Sequence, residues 1–129
     1  MAIRRSRGSD PFQSAQNAVV RDAVLSRLTP LPVVTRAMFG AVGLYLDGRF
    51  FGVVSSRRLY FRTDDHTRSA YIERGSRPLE PMFRPRGPRT VDRNFEVAAE
   101  IFDDADLFRA WAVRAAEGVP KRRSRPRNA

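Results

Sequence analysis

Residues 38–51 read MFGAVGLYLDGRFF, with three glycines in nine residues between apolar flanks. A glycine loop that cradles phosphate needs a strand before it and the start of a long helix after it, so that the helix N-terminus meets the anion. Here an alternating, β-branched run follows instead. Gly40-Ala41-Val42-Gly43 also has the GXXG spacing of KH domains, but that loop lies between helices. Asp47-Gly48 decides the reading: between two apolar runs it is the favoured two-residue hairpin turn, because both positions take positive φ.

That turn sets a predicted register of Leu46 opposite Arg49, Tyr45 opposite Phe50, Leu44 opposite Phe51, Gly43 opposite Gly52 and Val42 opposite Val53. Val42, Leu44, Phe51 and Val53 then share a core face, joined by Leu59 and Phe61 of the next strand. Tyr45, Phe50, Arg58, Tyr60 and Arg62 fall on the other side, beside Gly43 and Gly52. A slip of one residue would exchange the faces.

Outward from the hairpin the chain alternates between two periods. Asp10-Pro11-Phe12-Gln13 combines a capping residue, proline at the first helical position and an amide at N3. Phe12, Ala15, Val19, Ala23 and Leu28, with Val20 and Val24 beside them, follow helical spacing up to Pro30 and Pro32. Strands are predicted over 33–38, 42–46, 49–54 and 59–62. Thr63-Asp64-Asp65 caps a short helix through Tyr71 and Ile72 that Gly75 closes. Residues 75–90 are loop with a short strand over 82–84, and Val91, Arg93, Phe95 and Val97 alternate as a last strand. Asp103-Asp104 opens a final helix with Leu107, Phe108, Trp111 and Ala115 on one face, stopped by Gly118 and Pro120. The fold class is α+β: a two-layer sandwich in the order α-β4-α-β2-α, its antiparallel sheet covered on one face by helices.

The chain has 129 residues, 42% of them hydrophobic, and no cysteine, which makes one domain with a core that needs no disulfide or thiolate zinc site. Its formal net charge is +10, but Arg4, Arg5 and Arg7 carry three of that and Lys121, Arg122, Arg123, Arg125 and Arg127 carry five, leaving +2 for the body. The organisation expected is a disordered basic arm over 1–8, the folded domain over 9–118 and a disordered basic tail over 119–129. No signal peptide or membrane-spanning run is legible, so the expected location is cytoplasmic. The preference for arginine over lysine reads as the codon bias of a GC-rich genome.

Chemistry is sparse. His66 is the single histidine, so no Ser-His pair or histidine metal cluster forms within one chain. Asp64 and Asp65 beside it, and Asp103, Asp104 and Asp106 later, read as helix caps. No catalytic residue, cofactor site or metal site is assigned, and no small-molecule substrate is expected. Arg84, Arg86 and Arg89 form a basic loop tip. The outer sheet face of Tyr45, Phe50, Arg58, Tyr60 and Arg62 has three readings. It stacks single-stranded nucleic acid, it forms a homodimer interface, or it is ordinary surface. Self-association is favoured, because homo-oligomers are common. A ligand on the Gly43 and Gly52 patch is an outside reading.

The run Arg36-Ala37-Met38-Phe39-Gly40, then Gly43-Leu44-Tyr45-Leu46-Asp47-Gly48-Arg49-Phe50-Phe51, then Arg58-Leu59-Tyr60-Phe61-Arg62-Thr63-Asp64, resembles the amino-terminal domain of the TfoX/Sxy family. The likeness extends more loosely over residues 12–117. It implies a bacterial protein and a two-layer α+β domain similar to secretion-chaperone-like folds. It also implies a regulatory role, since founding members regulate natural competence with a cyclic-AMP receptor protein rather than act as enzymes. The sequence departs from the family in having the basic tail where a second domain follows in those members. It also has Ala41 in place of a second glycine, and Asn94-Phe95 where a tyrosine pair is common. The expectation is a non-enzymatic regulatory domain working through protein contacts in transcription or competence control. The alternative is non-specific nucleic-acid binding through the tail and the outer face.

Overall fold

A computed structural model describes residues 11–38, 40–79 and 93–120. α1 (Pro11–Leu28) leads into four strands, β1 (Val33–Met38), β2 (Ala41–Leu46), β3 (Arg49–Ser55) and β4 (Arg58–Arg62). Then come α2 (Arg68–Glu73), β5 (Asn94–Glu96), α3 (Ala99–Asp103) and α4 (Ala105–Glu117). The five strands form one antiparallel sheet in sequence order. This is the α+β architecture expected. The strand expected over 82–84, the basic loop and both charged ends lie outside the described residues. Helix α3 is an addition that its five residues were too few to signal.

Asp47 and Gly48 take φ of 54° and 75°, the left-handed pair that the hairpin turn requires. Leu46 faces Arg49 and Tyr45 faces Phe50 as expected. Beyond them the register slips at a β-bulge: Leu44 faces Gly52, Gly43 faces Val53 and Val42 faces Val54. Phe51 is the extra residue, so Phe51 and Gly52 both fall on the core side. The expected Gly43–Gly52 pair therefore does not exist, and Val54 replaces Val53 on the core face. Gly52 is where the bulge becomes possible, because a Cβ there would lie 2.8 Å from the Tyr60 carbonyl oxygen and 3.0 Å from the Phe61 ring.

All four helices bury apolar side chains against this inner face, although Val19, Ile72 and Leu107 stay exposed. Val24 and Leu28 of α1, Tyr71 of α2, Ile101 of α3 and Phe108, Ala112, Ala115 and Ala116 of α4 join Leu44, Phe51, Val54, Leu59 and Phe61 in one core. Phe108 stacks on Phe61 at 5.5 Å between ring centroids, and Phe61 meets Phe51 at 5.6 Å. These ring contacts add about 0.5–1.5 kcal/mol each to the burial of their area.

The buried stripe of α1 differs from the one expected. Val24, Leu28 and Asn17 point inward with Val20 beside them, while Val19 is 71% exposed and Ala15 and Ala23 face solvent. Asn17 is what rotates the helix, since it is buried for its hydrogen bonds rather than its hydrophobicity. Its Nδ2 donates to the Gly40 carbonyl and its Oδ1 accepts the Arg57 N–H, both at 2.7 Å. One side chain thus ties α1 to the β1–β2 and β3–β4 turns. The second of these turns places Ser56 and Arg57 at φ of 51° and 64°, unfavourable values for residues with a Cβ.

Candidate interaction face

The outer face of the sheet is built from alternate residues of each strand. Strand pairing puts Arg36, Gly43, Val53, Tyr60 and Glu96 in one row across the sheet. Val34, Tyr45 and Phe50 form the neighbouring row. Tyr45, Phe50, Arg58 and Tyr60 fall on this side of the sheet by strand pairing, because the bulge lies beyond Phe50 and leaves the parity of β2 and β4 intact, whereas Arg62 has the same parity but lines a cleft against the helices.

They do not form one exposed patch. Tyr45 and Phe50 are half-buried and packed together, with ring centroids 5.3 Å apart. Tyr60 is buried, as is Val53 opposite it. Arg58 is exposed but paired with Glu96 at 3.1 Å, a partner on β5 that sequence reasoning missed because it lies 38 residues away. Arg62 ends β4 opposite Asn94 and also borders a cleft between α2 and α4.

Gly43 is the floor of the aromatic part. A Cβ on it would sit 2.5 Å from the Met38 Cε, 3.2 Å from the Phe50 ring and 3.3 Å from the Tyr45 ring. Its missing side chain lets Met38, Tyr45 and Phe50 converge. Arg36, directly opposite Gly43, lies over the Tyr45 ring at 5.6 Å. Val34, opposite Tyr45, is 61% exposed. The residues that sequence reasoning missed are thus Val34, Arg36 and Met38 of β1, which alternation from the Asp-Gly turn would have found had pairing been extended one strand further.

The acidic residues act locally. Asp64 Oδ1 accepts the N–H groups of His66 and Thr67, each at 2.8 Å, and the Thr67 hydroxyl accepts the Asp64 N–H at 3.0 Å. Partial burial pushes the Asp64 carboxyl up, but those N–H groups, the Thr67 hydroxyl and the Arg114 guanidinium together hold it below its ordinary value. Thr63, expected to share this cap, instead extends the β4–β5 ladder through bonds to the Arg93 carbonyl. Asp104 caps α4 by accepting the Leu107 N–H at 3.1 Å. α2 ends with Gly75 at φ 75°, where the Gly75 and Ser76 N–H groups return to Ile72 and Tyr71. Burial raises the Tyr71 hydroxyl far above its ordinary value. Among the described residues no three side chains of His, Asp or Glu converge as metal ligands do, and no helix there is long and apolar enough to cross a membrane.

The basic tail of Lys121, Arg122, Arg123, Arg125 and Arg127 lies outside the described residues. No curated protein matches the sequence. The family model for the TfoX N-terminal domain matches residues 24–119, from the C-terminal end of α1 to just past α4. With that match over most of its length, and with the five-stranded sheet and helical layer described above, the chain belongs to the TfoX N-terminal domain family.

Proposed function

We propose that this is a non-enzymatic regulatory domain of the cytoplasm that works through protein contacts, and that its contact surface is the outer sheet face around Gly43. The observation that carries the reading is the cluster that Met38, Tyr45 and Phe50 form over Gly43, next to exposed Val34. Aromatic residues, methionine and arginine are what interfaces concentrate. The cluster lies on the sheet face away from the helices, which pack on the inner face. A second copy of the chain is the proposed occupant. Transcription or competence control is the setting that family membership suggests.

The nucleic-acid alternative fits this face less well. Arg58 is engaged by Glu96 and Tyr60 is buried, so neither is free to grip a phosphate or stack a base. Sedimentation of the full chain and of a Tyr45→Ala/Phe50→Ala variant tests the proposal. Self-association that the double substitution abolishes is the expected outcome. A wild-type monomer at every concentration contradicts it. A salt titration with single-stranded DNA, with and without residues 119–129, separates the alternative: binding through the tail falls steeply with salt and disappears on truncation.

A further inference from the structure

A cleft of about 370 Å³ lies between α2 and α4. Its walls are apolar: Ala70 and Tyr71 come from α2, and Leu107, Ala110, Trp111 and Ala115 from α4. Trp111 is half-buried and meets Tyr71 edge-on at 5.0 Å. Leu107 remains 38% exposed, so part of an apolar wall is left to solvent.

The border is cationic. Arg62, His66 and Arg114 line it, and Arg74 lies over the Trp111 ring at 5.1 Å. Asp64 is the opposing charge, but its Oδ1 is taken by backbone N–H groups, and its Oδ2 is 3.7 Å from the Arg114 Nη1, beyond hydrogen-bond distance. Among the described residues neither Arg62 nor Arg114 donates a side-chain hydrogen bond. Two guanidiniums therefore border an apolar cavity with donors to spare.

We propose that this cleft binds a small apolar monocarboxylate, with its hydrocarbon or aromatic body against Trp111, Tyr71 and Leu107 and its carboxylate on Arg114 and Arg62. An apolar body suits the walls, and a single negative charge suits a border with two arginines against one aspartate. At about 370 Å³ the cleft falls at the lower end of the size range of small-molecule pockets. Binding here would act on α4, which carries the core residue Phe108.

Trp111 is the single tryptophan of the chain, so its emission reports the cleft directly. The probe is 3-phenylpropionate, titrated into the full chain against its neutral amide. A saturable change in emission is expected, with the amide weaker by roughly tenfold, the scale of one lost charge-assisted contact. Arg62→Gln and Arg114→Gln, each checked for an unchanged circular dichroism spectrum, should remove that preference. If Arg114→Gln loosens the Asp64 loop, Arg62→Gln alone keeps the test intact. Ala110→Phe, at an exposed position on the cleft wall, should block binding without unfolding the chain. No saturable change, equal affinity for acid and amide, or undiminished binding to Ala110→Phe would each overturn the proposal.

Discussion

At the scale of single residues, two glycines nine positions apart are constrained for opposite reasons. A Cβ at Gly52 would meet backbone, the Tyr60 carbonyl oxygen at 2.8 Å, which cannot move without breaking the β3–β4 ladder. At Gly43 the closest atom is the far end of the flexible Met38 side chain. Gly52→Ala is therefore expected to lower stability by about 1–3 kcal/mol, the usual cost of overpacking, and Gly43→Ala by much less. Thermal melts of the two variants check this. Asn17 is the other decisive residue. Asn17→Ala leaves the Gly40 carbonyl and the Arg57 N–H without their buried partner, at a cost of about 1–3 kcal/mol for each group that water does not reach. Urea unfolding of this variant against Asn17→Asp, which keeps the acceptor for Arg57 and loses the donor for Gly40, apportions the two bonds. Neither role was legible beforehand. Asn17 breaks the apolar stripe that reveals a helix face, and its partners lie 23 and 40 residues away.

At the scale of elements, caps and turns were the most readable features, because their chemistry is local. Asp47-Gly48, the Asp104 cap and the Gly75 stop all follow from residue types within four positions of one another. The bulge in β3 was not readable in that way. Phe50-Phe51-Gly52-Val53-Val54 breaks strict alternation, and only the inner-face packing of Leu44, Phe51 and Phe61 decides which residue is extra. The Asp64 loop yields a pH prediction. Its carboxyl is held below its ordinary value in the folded state, so its stabilising contribution is present above the unfolded-state pKa and fades as pH falls through the lower, folded one. Acid unfolding monitored by Trp111 fluorescence should therefore begin below about pH 4–5, and Asp64→Asn should be less stable at neutral pH with a shallower acid limb. An unchanged acid limb in that variant would show that other carboxyls govern the transition.

At the scale of the whole molecule, the two faces of one sheet have different fates. The inner face takes every helix, and the outer face closes its centre with Val53 and Tyr60 while carrying a half-buried aromatic cluster toward β1. The fold class was readable from the change of period along the chain, and the TfoX likeness from the signature around the Asp-Gly turn. The outer face was readable only in outline. Its membership followed from alternation, whereas the burial of Tyr60 and the pairing of Arg58 with Glu96 depend on strands that meet only in the folded sheet. The central claim is that copies of this domain meet through the cluster over Gly43. Amide chemical shifts followed by NMR on dilution from the millimolar to the low micromolar range test it most directly. The account predicts concentration-dependent shifts gathered at Val34, Arg36, Gly43, Tyr45 and Phe50. Spectra that do not change on dilution, or changes confined to α1 and α4, would contradict it.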